Sequence, residues 1–196
     1  MAENCLVDAR VSEGAGAETR ADQQLIDAIN GGEAAAFDAL YRRYRDWVAG
    51  LAARFTGDHD AALDVVQETF LYVLKKFPGF RLTANFKTFL YPAVRNLSIT
   101  ARRKTARSQG DDPAALELVP AAETASTGTN LSDLTTILAH LPEEHREALL
   151  LRFVDGLSLA EIAEATATPL GTVKSRLHYA LETLRQDPRT KEFFAP

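Results

Sequence analysis

The sequence predicts an all-α protein: two small helical domains joined by a flexible linker, the C-terminal one a helix-turn-helix. Three observations point there. Apolar residues recur at three- and four-residue steps in several blocks, and no strand-like alternation runs long enough to compete. Residues 105–130 break that pattern with Ser, Gly, Thr, Ala, Asp and two prolines. Near the C-terminus, Ser158 and Pro169 open two short consecutive helical blocks across a tight turn.

Taken in order, residues 1–20 are small, polar and acidic, the composition of a disordered tail. A short helix is expected from about Asp22 to Ile29, stopped by Asn30-Gly31-Gly32. A long helix follows, with Phe37, Leu40, Tyr41, Tyr44, Val48, Leu51 and Phe55 in one apolar stripe, broken at Gly57-Asp58. The next helix, about Asp60 to Lys76, should bury Leu63, Val66, Phe70, Val73 and Leu74 before Pro78-Gly79 ends it. Residues 77–85 read as a loop. A helix from about Asn85 then carries Phe86, Phe89, Leu90, Ala93, Leu97 and Ala101 on one side. It closes on Arg102-Arg103-Lys104, cations that suit a helix C-terminus. These helices share one core, which makes 21–104 the first domain, 105–130 the linker, 131–187 the second domain and 188–196 a tail.

In the second domain Pro142-Glu143-Glu144 opens a helix that Gly156 ends. Ser158-Leu-Ala-Glu161 is a capping box for a helix ending near Ala165. Thr168 is expected to cap the last helix, with Pro169 in its first turn. There Val173, Leu177, Ala180, Leu181 and Leu184 face inward. Thr172, Ser175, Arg176 and Tyr179 face outward, flanked by Lys174 and His178. A capped second helix with a basic outer face suits the major groove of duplex DNA, where Arg176 can pair with guanine edges and small hydroxyls can meet bases or phosphates. The same pattern also fits an antiparallel hairpin in a plain helical bundle.

Composition bounds the alternatives. Of 196 residues 46% are hydrophobic and 25% charged, ordinary for a globular protein. The single Cys5 excludes a disulfide framework, and no apolar run approaches a membrane span. No secretory signal is visible, so a cytoplasmic protein is expected. The net charge of −5 argues against nucleic acid, but it is unevenly spread. Residues 36–104 hold 12 basic and 6 acidic side chains, a balance of +6, whereas residues 1–35 hold 2 and 7. A cationic block inside an acidic chain fits either a polyanion-binding module or a solvated basic surface.

The motifs resemble those of the extracytoplasmic-function (group IV) sigma factors of bacterial RNA polymerase. Leu170-Gly-Thr-Val-Lys-Ser-Arg-Leu177 is similar to the region 4 recognition helix, and Leu157-Ser-Leu-Ala-Glu-Ile-Ala163 to the helix before it. Leu141-Pro142 with Arg146–Phe153 resembles the helix before that. Asp64-Val-Val-Gln-Glu-Thr-Phe70 resembles region 2.2, and Phe80, Asn85–Tyr91 and Val94–Leu97 resemble regions 2.3 and 2.4. Both matches stand in the family's order and together cover most of the chain.

The resemblance implies a non-catalytic factor, without metal or cofactor, that binds core RNA polymerase and promoter DNA. It places Thr172, Lys174, Ser175, Arg176, His178 and Tyr179 at the −35 duplex. It places Phe80, Arg81, Thr83, Asn85, Lys87, Tyr91, Arg95 and Asn96 at the melted −10 strand, where cations hold phosphates and rings stack on bases. It assigns Asp64, Gln67, Glu68 and Leu71 to polymerase docking. An anti-sigma factor is a usual partner in that family, and the linker, acidic here, is threaded through polymerase. Two departures stand out: Pro92 inside the region 2.4-like helix, which should bend or shorten it, and Phe89 where the family commonly has tryptophan.

Two other function classes remain at this stage. A plain helix-turn-helix regulator explains the second domain but not the first. An enzyme is disfavoured because His59, His140, His145 and His178 lack metal-ligand spacing and no phosphate loop or nucleophile motif is present.

Overall fold

A computed structural model describes residues 19–109, 137–188 and 190, so the expected N-terminal tail up to residue 18, most of the linker and the last residues lie outside the description. Every regular element among the described residues is helical. The chain divides into two units at Val119–Pro120, each with its own core.

The first unit begins with α1, residues 19–30, longer at its start than the sequence suggests. Asp22, fully buried, accepts from Arg43 at 2.7 Å and from the Tyr44 hydroxyl. This pair ties α1 to α2, Ala34–Thr56. In α2 the expected stripe is buried at Leu40, Tyr44, Val48, Leu51 and Phe55, and Phe37 and Tyr41 are half-buried. Gly57 ends the helix at φ 67°, a left-handed cap whose N–H returns to the Ala53 carbonyl.

Helix α3, His59–Leu74, is capped by the Asp58 side chain, which accepts from the Ala61 N–H. Its buried face is Ala62, Val65, Val66, Thr69, Phe70 and Val73. Leu63 and Leu74, expected in the core, are instead about half exposed, at 46% and 47%. The sequence pattern erred because α3 has apolar residues around most of its circumference, and contact with both α2 and α4 decides which arc is covered.

Helix α4, Phe86–Gln109, runs unbroken through the exposed Pro92 and continues into the segment expected to be linker. Its burial is also rotated from the expected stripe. Phe86, Leu90, Tyr91, Val94 and Ser98 are buried, whereas Phe89, Ala93, Leu97 and Ala101 are half-buried. Wedged between α2 and α3, the helix turns toward them the arc centred on Tyr91 and Val94.

The second unit contains α5 (residues 137–140), α6 (Glu143–Phe153), α7 (Leu159–Ala165) and α8 (Leu170–Gln186). Ile137, Leu141, Leu151, Leu157, Ile162, Val173 and Ala180 make its core. The capping box forms as expected: the Ser158 hydroxyl accepts from the Glu161 N–H, and the Glu161 carboxylate accepts from the Ser158 N–H at 2.8 Å. Thr168 does not cap α8. Pro169 holds that position, and the Thr168 hydroxyl donates back to the Thr166 carbonyl. The turn between α7 and α8 passes through Ala167 at φ 50°, a left-handed conformation that usually takes glycine.

Candidate nucleic-acid interface

In the second unit the polar side of α8 lies opposite its buried row of Val173, Leu177, Ala180 and Leu184. Thr172, Lys174, Ser175, His178 and Tyr179 are exposed there. The ring of Tyr179, 59% exposed, stacks on His145 of α6 at 6.1 Å and meets His178 edge-on at 5.6 Å. Arg176 differs from its neighbours. Its side chain is only 19% exposed, ion-paired to Glu144 of α6 at 3.0 Å, with Thr168 at 3.4 Å. The expected base-reading guanidinium is thus engaged within the protein. The capped turn and this surface form a helix-turn-helix whose outer helix presents hydroxyls, an amine and two rings.

In the first unit, residues 77–85 connect α3 to α4 as expected. Phe80 is half-buried and packs against Phe77, Phe86 and Phe89, closest to Phe89 at 4.7 Å. Phe89 in turn stacks on Tyr72 of α3 at 6.0 Å, and Lys76 lies 4.6 Å over that ring. Arg81 and Thr83 are exposed. Asn96 is exposed on the same face of α4 as Phe89, two turns away. Loop and helix therefore join an aromatic ladder to cationic and amide groups, the combination that holds unstacked bases and their phosphates.

Four expected strand-facing residues stand elsewhere or at the edge of this surface. Tyr91 is 1% exposed and packs its ring on Phe55, so it is a core residue. Asn85 is buried at the start of α4, where its side chain accepts from the Lys87 N–H as a helix cap. Lys87 reaches over Trp47 of α2, on a different side of α4 from Phe89 and Asn96. Arg95 is half-buried on the flank between them.

A third surface lies on α3. Asp64, Gln67, Glu68 and Leu71 are exposed together. Helical spacing puts Leu63, Leu71 and Leu74 around Gln67, with Asp64 and Glu68 at the rim. Leu71 is 54% exposed, so the face is an apolar patch with acidic edges.

Comparison with known proteins decides what kind of molecule carries these surfaces. Residues 40–108 match the family model for sigma-70 region 2, and residues 131–184 match sigma-70 region 4. The chain is 32% identical over 185 residues to an ECF RNA polymerase sigma-E factor of Haemophilus influenzae, covering 86% of this chain and 95% of that one. The chain belongs to the extracytoplasmic-function sigma factors. A sigma-H factor of Pseudomonas aeruginosa is 34% identical, covering 83% of this chain and 91% of that one. The co-crystal structure of the sigma factor RpoE with the anti-sigma factor NepR from Bartonella quintana has a TM-score of 0.60 at 27% identity, over 76% of this chain and 94% of that one.

This sigma factor thus directs promoter-specific transcription initiation with core RNA polymerase. No described helix is long and apolar enough to cross a membrane. Sequence reasoning missed Leu63, Leu74 and Tyr72 as surface residues of its α3. The available signal was an apolar arc too wide for one buried face. It also missed Glu144, which reads simply as a first-turn acid.

Proposed function

We propose that the two units of this sigma factor divide promoter recognition between them, the second reading the −35 duplex and the first holding the melted −10 strand. The carrying observation is the exposed row Thr172, Lys174, Ser175, His178 and Tyr179 on α8 of a capped helix-turn-helix. Lys174 and the hydroxyls suit phosphates and base edges in a major groove. Arg176 borders that row and holds α8 to α6. In the first unit Phe80, Arg81, Thr83 and Asn96 meet the displaced strand, with Arg95 supplying charge at the flank and Asn85 shaping the turn, while Lys87 adds to the positive field from a different side of α4. Asp64, Gln67, Glu68 and Leu71 dock on polymerase, joined by Leu63 and Leu74.

The chain is not itself an enzyme in this reading; polymerase performs the chemistry, in the cytoplasm. The acidic linker follows polymerase toward its nucleic-acid channel. An anti-sigma factor covers the polymerase- and DNA-facing surfaces, a proposal supported by the relative co-crystallised with such a partner. The test is run-off transcription by core polymerase with this chain on a genomic promoter library. Discrete promoter-dependent products are expected. A helix-turn-helix regulator acting without polymerase yields none.

A further inference from the structure

The sequence reads Asn30 as a helix stop, a role that glycine or any short polar residue fills. The structure gives its side chain a second task. From the end of α1 the Asn30 Nδ2 donates to the Phe80 carbonyl at 2.8 Å, and the Oδ1 accepts from the Gly79 N–H at 2.6 Å. One amide thus pairs with both a donor and an acceptor of consecutive loop residues about fifty positions away in the chain. Gly79 stands at φ +98°, a conformation that a side chain at this position would strain. At this pair of hydrogen bonds the Phe80 ring enters the rings of Phe77, Phe86 and Phe89, and just beyond it Arg81 and Thr83 emerge to solvent.

We propose that Asn30 is a positioning residue for promoter melting: its amide fixes the register of the 77–85 loop so that Phe80, Arg81 and Thr83 meet the displaced −10 strand preorganised. The inference rests on the reading of that loop as the strand-holding element. Asn30 does not touch DNA; it acts through Gly79 and Phe80. A loop free to slide or turn about Gly79 must be ordered when the strand arrives, and that cost falls on the opening step. It does not fall on polymerase docking, which uses the exposed face of α3, or on −35 binding, which uses the other unit.

The test uses the full chain with core polymerase on a promoter recovered by the run-off screen. Opening rate is separated from closed-complex affinity by varying holoenzyme concentration, with permanganate reactivity of −10 thymines as the readout. Asn30→Ala removes both bonds and should slow opening about tenfold, the size of two modest net hydrogen bonds. Closed-complex affinity and core binding should stay at wild type. Asn30→Asp keeps the acceptor and loses the donor, and should fall between the two. Wild-type opening in both variants overturns the inference. So does a parallel loss of core binding, because Asn30 would then merely hold the domain together. Phe80→Ala is the control on the loop. If it melts promoters normally, the loop reading fails and takes the inference with it. If it is slow while Asn30→Ala is normal, the clamp alone fails.

Discussion

Replacing Arg176 by alanine separates two roles that the sequence alone cannot distinguish. A guanidinium paired with a base edge is worth about 1–3 kcal/mol of discrimination against the wrong base pair. The structure commits Arg176 instead to Glu144 at 3.0 Å, with Thr168 at 3.4 Å. Because Glu144 is 64% exposed, the ion pair is screened and contributes about 0.5–1 kcal/mol. The Thr168 contact is long for a hydrogen bond and adds little. Arg176→Ala should therefore destabilise the helix-turn-helix by about 1 kcal/mol. Local opening, read by hydrogen exchange of the α8 amides, should rise about fivefold. Glu144→Gln should do much the same, and the double variant should cost less than the two singles together, with a coupling of about 0.5–1 kcal/mol. Affinity should fall to a similar degree across −35 sequences. A zero coupling, together with a tenfold loss confined to one base pair of the −35 element, would refute this reasoning and return Arg176 to base reading.

Four further outcomes follow from the packing. Leu71→Ser should weaken core polymerase binding about tenfold, as loss of an apolar interface anchor does, while a thermal melt stays within about 0.5 kcal/mol of wild type. Ala167→Gly should stabilise the second unit by about 0.5–1 kcal/mol, since it relieves the left-handed turn at φ 50°, and a shift in denaturant midpoint measures it. Tyr91→Ala should cost about 3 kcal/mol of stability in the first unit by emptying a core site beside Phe55, whereas Asn96→Ala should leave stability unchanged and reduce permanganate reactivity in the −10 region.

The helices were legible because their boundaries are written in local chemistry. Ser158 and Glu161 form the capping box that their spacing announces, and Gly57 ends α2 where the stripe breaks. What the sequence could not fix was rotation about the helix axis. Leu63, Leu74 and Phe89 are as apolar as the residues that displaced them from the core, and only the placement of α2, α3 and α4 selects which arc is buried. Tyr91 shows the same ambiguity from the other side: a ring with a hydroxyl suits a nucleic-acid surface and a core equally well. Pairings across the fold, such as Arg176 with Glu144 and Asn30 with the loop, leave no mark in local spacing, because each partner already had a sufficient local explanation.

Pro92 gives α4 an uneven mechanical character. Proline has no amide hydrogen to offer the Thr88 carbonyl, and the buried Thr88 hydroxyl has no hydrogen-bond partner. One rung is thus missing from the helix between the turns that carry Phe89 and Asn96. Leu90 and Tyr91 bridge the gap by packing, which is less directional than a hydrogen bond. The turn next to the loop is therefore joined to the rest of α4 across Pro92 by side-chain packing in place of that one hydrogen bond. The position of the Phe89 turn relative to the rest of α4 is thus set by the core as well as by the helix ladder, and a change at Leu90 or Tyr91 would carry through to the exposed face.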